Sequence, residues 1–254
     1  MTTIPMPRRL APLVLAFALA GCGAATLMPS VHSESERFAL ARRLHDQGKY
    51  DQAIELLKTY VDNNAGATNE DDAIYLLGDS YLHSKSWSEA GAEFERLLRD
   101  YPESDSSGAA RFRLGEALFA QSRPVDFDQE TTLKAIEEWQ HYLRDFPGHW
   151  LNAEAGRRIL IARNRLADKL VNTGTLYLKM RLAEPARVYF VRVTTDYADT
   201  ASVAEAELGI ALADAMLGKR DDAITRLKSI EQRYPGQPVA AKAERERRRL
   251  EKRT

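Results

Sequence analysis

The chain has 254 residues, 44% of them hydrophobic and 29% charged, with a formal net charge of -1 and one cysteine. Charge so nearly balanced excludes general nucleic-acid binding, which requires a strongly basic surface. A lone thiol excludes a disulfide within the chain. Apolar residues recur at helical spacing with no long alternating stretch, so the fold class expected is all-α.

The first element is a leader. Arg8 and Arg9 precede an apolar run from Leu10 to Ala18, and the small residues Ala20 and Gly21 lead to Cys22. That order is the layout of an export signal. The apolar part is far shorter than the roughly 20 residues of a membrane-spanning helix, so a permanent span is not expected. Leu19-Ala20-Gly21-Cys22 resembles the bacterial lipobox, in which the cysteine sulfur is acylated and the chain is cut just before it. The resemblance implies a covalent lipid on Cys22, with no other cofactor. Several acyl chains at about 0.8 kcal/mol per buried CH₂ would hold the protein to a membrane. Gly23 in place of Asp after the cysteine implies the outer membrane. Residues 1–21 are thus read as a lipoprotein signal peptide, 22–33 as an acylated tether and 34–254 as the folded part. Loss of Arg8 and Arg9 leaves a charge near -3.

The folded part repeats. Ala41 and Gly78, Ala53 and Ala90, and Leu57 and Phe94 are each 37 residues apart, and further copies carry Gly115, Trp139 and Pro147, then Gly174 and Phe190, then Gly209, Leu227 and Pro235. Self-similarity at this period marks a stacked array. Leu77-Gly78, Tyr81, Ala90, Phe94 and Pro102 resemble the tetratricopeptide repeat, which implies a superhelix of about five helix pairs. The repeats are placed at 34–66, 70–104, 106–149, 151–199 and 201–236. A long helix is expected over Asn152–Met180 and a capping helix over Val239–Lys252.

In such a superhelix the first helix of each repeat lines the concave side. Positions i, i+4 and i+7 share a helix face. They are Phe38, Arg42 and His45, then Tyr75, Asp79 and Leu82, then Phe112, Glu116 and Phe119. These nine residues are the candidate peptide groove. Two accounts of the rings Phe38, Tyr75 and Phe112 stay open: they grip an extended peptide, or they fill the seam between repeats. The first account expects alanine at these positions to weaken binding while leaving melting intact.

The insert "SRPVDFDQETT" interrupts the third repeat, and Asp128 is a candidate cap for the helix beginning near Gln129. Together with Ala135, Trp139 and Pro147, then "RNRLADKL", "LYLK" and "YFVRVTTDYADT", it resembles the BamD lipoproteins of the outer-membrane barrel assembly machine. The resemblance implies an outer-membrane-anchored, periplasm-facing scaffold. Its C-terminal repeats would dock a BamA-like protein, and its N-terminal repeats would meet nascent β-barrel proteins. Tyr189 stands where that family usually has arginine, and the first repeat lacks the family's aromatic-Pro ending. From Lys242 to Arg253 seven Lys/Arg face three Glu, read either as a helix face of mixed pairs or as a contact for an anionic partner.

No HExxH, phosphate-cradling glycine loop or nucleophile elbow occurs, so no enzyme activity and no metal site are expected. The alternatives are a repeat lipoprotein serving pilus secretin assembly or envelope coordination, and a cell-wall lytic enzyme. The latter would carry a catalytic domain after the array.

Overall fold

The computed structural model describes residues 33–252. Cys22, the 1–21 leader and nearly all of the 22–33 tether therefore lie outside the described residues. Within them are eleven helices and no strand: α1 (Glu34–Asp46), α2 (Tyr50–Asn63), α3 (Glu70–His83), α4 (Trp87–Asp100), α5 (Ser107–Ala120), α6 (Glu130–Asp145), α7 (Asn152–Lys179), α8 (Ala183–Asp196), α9 (Val203–Met216), α10 (Arg220–Arg233) and α11 (Pro238–Glu251). Each packs on the next, and first helices of neighbouring repeats also touch, as α1 does α3 and α3 does α5. This is a tetratricopeptide-repeat array, with α11 capping the fifth pair.

Local chemistry sets the boundaries. The Ser33 hydroxyl accepts the Glu36 N–H at 3.2 Å and starts α1. Pro102, Pro147 and Pro235 follow the ends of α4, α6 and α10, where no further helical N–H can be supplied. Pro238 opens α11, a position where the missing N–H costs nothing. The aromatic residue before the proline also works as a lock. Tyr101 donates its hydroxyl to Glu70 at 2.5 Å, and Arg96 donates to the same carboxylate at 3.1 Å. Glu207 repeats the device with Arg233 at 2.5 Å and Tyr234 at 3.4 Å.

The two helices of a pair approach through small residues. A Cβ at Gly115 would stand 2.4 Å from the Trp139 indole nitrogen, and one at Gly174 would stand 2.8 Å from the Phe190 ring. Only glycine leaves room for those fully buried rings.

Repeats 3 and 4 depart from the pattern. Eight helices have 14 residues, whereas α7 has 28. Two helix lengths in one rod serve two cores. Ala155, Ala162 and Leu166 join the core of α5 and α6, while Ala167 joins that of Phe190 and Val193. The link inside repeat 3 spans residues 121–129, against three residues in the other pairs. It is strapped to α7: Arg165 donates to Gln129 Oε1 at 3.1 Å, Lys169 to the Phe127 carbonyl at 2.6 Å, and Asn172 to Asp126 at 2.9 Å. The Asp128 carboxylate accepts the Glu130 N–H at 3.2 Å, one residue beyond the expected helix start.

Candidate functional site

The nine groove residues divide. Phe38 is 7% exposed and stacks on Tyr60 of α2 at 5.2 Å. Phe112 is 1% exposed and lies edge-on to Tyr142 of α6 at 5.8 Å. Both rings belong to the core, so the open aromatic row is corrected at 38 and 112: each is turned toward the second helix of its own repeat. Tyr75 is half-buried, 6.0 Å from the Phe94 ring. Burial pushes its phenol above the ordinary value.

The polar members come together. His45 Nε2 lies 2.9 Å from Asp79 Oδ2, which bridges α1 and α3. Asp79 is only 5% exposed and has two further partners, His83 Nε2 at 3.5 Å and the Arg113 guanidinium of α5 at 3.0 Å. The Arg113 contact is off the hydrogen-bond line, so it acts through charge. Arg113 also donates to Glu116 at 2.5 Å, and Arg158 of α7 reaches Glu116 at 2.9 Å and Glu154 at 2.9 Å. A continuous polar rail thus links the first helices of four repeats. Arg42 stands beside it, 3.6 Å from Asp72, with its guanidinium 4.8 Å over the Phe38 ring.

Electrostatics follow from this geometry. The hydrogen bond to Asp79 raises His45 above its ordinary 6.5 against the opposing effect of burial. Burial pushes Asp79 upward, but the His45 hydrogen bond and the Arg113 charge outweigh it and hold the carboxyl below its ordinary 3.8.

Next to the rail a cavity of about 290 Å³ is walled by Leu82, Trp87 and Phe119, floored by Trp139, and rimmed by Arg113, Glu116 and Arg158. An apolar hollow with a few convergent polar groups suits a side chain of a bound segment. Sequence reasoning found Leu82, Glu116 and Phe119 but missed Arg113, Arg158, His83 and Trp87. His83 was within reach, one helical turn after Asp79.

The C-terminal half carries no comparable rail. Tyr177 and Tyr189 stack at 5.4 Å with a 19° interplanar angle. Around α7 and α8 the side chains of Leu176, Met180, Leu182 and Val188 are exposed. On α11 the basic residues are paired, Arg247 with Glu231 at 2.7 Å and Lys242 with Glu205 at 2.7 Å, which fits the mixed-pair reading. Among the described residues no His, Cys, Asp and Glu group could hold a metal ion, and no helix is long and apolar enough to cross a membrane.

Residues 79–221 match the YfiO family, described as outer membrane lipoprotein, and residues 38–105 match the tetratricopeptide repeat. The chain is similar to outer membrane protein assembly factor BamD of Caulobacter vibrioides, at 22% identity over 232 residues, covering 89% of this chain and 76% of that protein. Among solved structures, the TPR2AB domain of yeast Sti1 in its pHSP90 complex aligns over 86% of this chain and 84% of that one, at 14% identity and a TM-score of 0.45. A tetratricopeptide repeat protein from Parabacteroides merdae aligns over 86% and 73%, at 15% identity and a TM-score of 0.38.

Proposed function

This chain belongs to the YfiO (BamD) family of tetratricopeptide-repeat outer membrane lipoproteins, and on that premise we propose that it is an outer-membrane-anchored scaffold for assembly and insertion of β-barrel proteins. The observation that carries the reading is the family match over 79–221, which runs from the middle of α3 to the start of α10. The protein works by binding, not by catalysis.

Three parts divide the task in this reading. An acylated Cys22 holds the chain to the periplasmic face of the outer membrane, because chains buried at about 0.8 kcal/mol per CH₂ outlast thermal detachment once more than one is present. The cavity beside Glu116 and Phe119 takes an apolar side chain from an extended segment of a nascent barrel protein, while the rail's charged groups meet its backbone. The C-terminal repeats dock a BamA-like membrane protein through the exposed apolar surface at Leu176, Met180 and Val188 and the Tyr177–Tyr189 stack. At that surface Tyr189 contributes ring area where the family usually has charge.

Affinity capture from membranes under mild detergent tests the reading, with Cys22→Ala as control. A BamA-like protein is the expected prey, recovered with the wild type and strongly reduced with Cys22→Ala. Recovery of a secretin or a cell-wall protein instead would transfer the chain to pilus or envelope duty.

A further inference from the structure

Asp79 joins three first helices. Its carboxylate is nearly sealed from solvent, at 5% exposure, and it takes His45 of α1 at 2.9 Å, His83 of its own helix at 3.5 Å and Arg113 of α5 at 3.0 Å. Two of those three partners are imidazoles, the only side chains whose ordinary charge change falls between about pH 5 and 8. The histidines also hold each other's surroundings. Tyr50, the first residue of α2, stacks on His83 at 4.7 Å with a 9° interplanar angle and lies edge-on to His45 at 5.5 Å.

We propose that His45 and Asp79, with His83 packed beside them, form a proton-controlled clasp that tightens the first repeat on the second when the His45 imidazole is charged and loosens it as that ring loses its proton. The inference concerns regulation of the fold and stands apart from the choice of client or partner.

Every charged or titratable group around the clasp has a definite place. Asp46 lies 3.5 Å from His45 Nδ1 on the solvent side and favours the charged ring. Tyr75, on α3, faces Asp79 and stays a neutral phenol. Arg113 is permanently charged and shared with Glu116, which Arg158 also holds. Arg42 and Asp72 form a second, more exposed α1–α3 pair at 3.6 Å. From α4 the adjoining wall is Trp87, which carries no charge. Loss of the His45 proton therefore removes the charge that α1 presents to Asp79. Asp79 keeps Arg113, so α3 and α5 remain coupled, while α1 keeps only the more exposed Arg42–Asp72 pair and a neutral hydrogen bond from His45. The sign agrees with the direction of the His45 shift: a raised value means a contribution present below 6.5 and lost as pH rises through the folded value.

Hydrogen–deuterium exchange on the full mature chain reads this directly, at about pH 6 and about pH 8 with labelling times scaled for the intrinsic rate. Protection of α1 and α2 should fall about three- to tenfold at the higher pH, the gap expected between a charge-assisted and a neutral hydrogen bond. Protection of α9 and α10 should not change. In His45→Gln, whose amide can donate to Asp79 but cannot titrate, α1 and α2 should lie near the high-pH level at both values. An unchanged α1–α2 ratio in the wild type, an equal loss in α10, or a full pH response in His45→Gln would each overturn the clasp. Should that variant not fold, the wild-type His45 imidazole shift measured by NMR must titrate in step with α1–α2 protection, and a mismatch overturns the proposal equally.

Discussion

Asp79 near one end of the array and Asp214 near the other are both aspartates on first helices, 5% and 2% exposed, yet their cations differ. Asp79 faces two histidines and one arginine. Asp214 faces Arg187 at 2.8 Å and Arg226 at 3.6 Å. A guanidinium keeps its charge at any pH the folded chain meets, whereas an imidazole does not. One scaffold thus supports a junction that responds to protons and a junction that does not. The halves also differ in what they show to solvent. Among the described residues, the exposed large apolar side chains run from Phe127 to Met216, all beyond the first two repeats and α5. The first three repeats carry most of the charge-rimmed cavity beside Phe119, and the exposed large apolar side chains lie after it. That contrast is what a scaffold needs if it holds a transient segment at one end and a lasting partner at the other.

The largest effects should come from the core of each half. Phe112→Ala and Phe190→Ala each remove a ring that is 1% exposed, and each should cost about 3–5 kcal/mol in urea unfolding. Because a repeat array is stabilised locally, exchange protection should fall first around α5–α6 in one variant and α8–α9 in the other. Unchanged melting in Phe112→Ala would return that ring to a surface role. A smaller effect is expected at the two aspartates. Asp79→Asn and Asp214→Asn keep shape and lose charge, so each should cost about 1–3 kcal/mol near pH 6. The pH dependence should separate them. Asp79 is depressed in the fold, so its contribution is present above 3.8 and lost as pH falls through the folded value. His45 is raised, so its share is lost as pH rises through the folded value above 6.5. The cost of Asp79→Asn should shrink on the alkaline side while that of Asp214→Asn keeps its size there. Parallel curves for the two variants would erase the distinction.

Much of the architecture was legible because it rests on residues whose physical role is local. Gly78, Gly115 and Gly209 mark close approaches, Pro102, Pro147 and Pro235 end helices, and their shared period gives the stacking. The long helix was legible from the distance between Gly115 and Gly174. The site was legible only in part, because a first helix in such an array is contacted by its own second helix and by the first helices on either side. Most of its surface is therefore buried, and an i, i+4, i+7 stripe does not tell groove from seam. Phe38 and Phe112 find Tyr60 and Tyr142 across the pair, contacts that no local spacing announces. Arg113 sits next to Phe112 in sequence but about 100° round the helix, which turns it to Asp79 and into the rail. Arg165 and Lys169 hold the repeat-3 insert from far along the chain, Arg165 donating to Gln129 across a separation of 36 and Lys169 to Phe127 across 42. Such a strap appears only once the helices are stacked.

The division of labour between the two halves can be measured most directly by site-specific photo-crosslinking in native membranes, with the probe placed in turn at Ala120 and at Val188. Both residues are exposed; the first edges the cavity beside Phe119, and the second is an apolar side chain on the solvent side of α8. Adducts from position 120 should contain nascent barrel polypeptides, and those from position 188 should contain the BamA-like membrane partner. Identical adducts from both positions, or none from position 120 while 188 still captures its partner, would contradict the account.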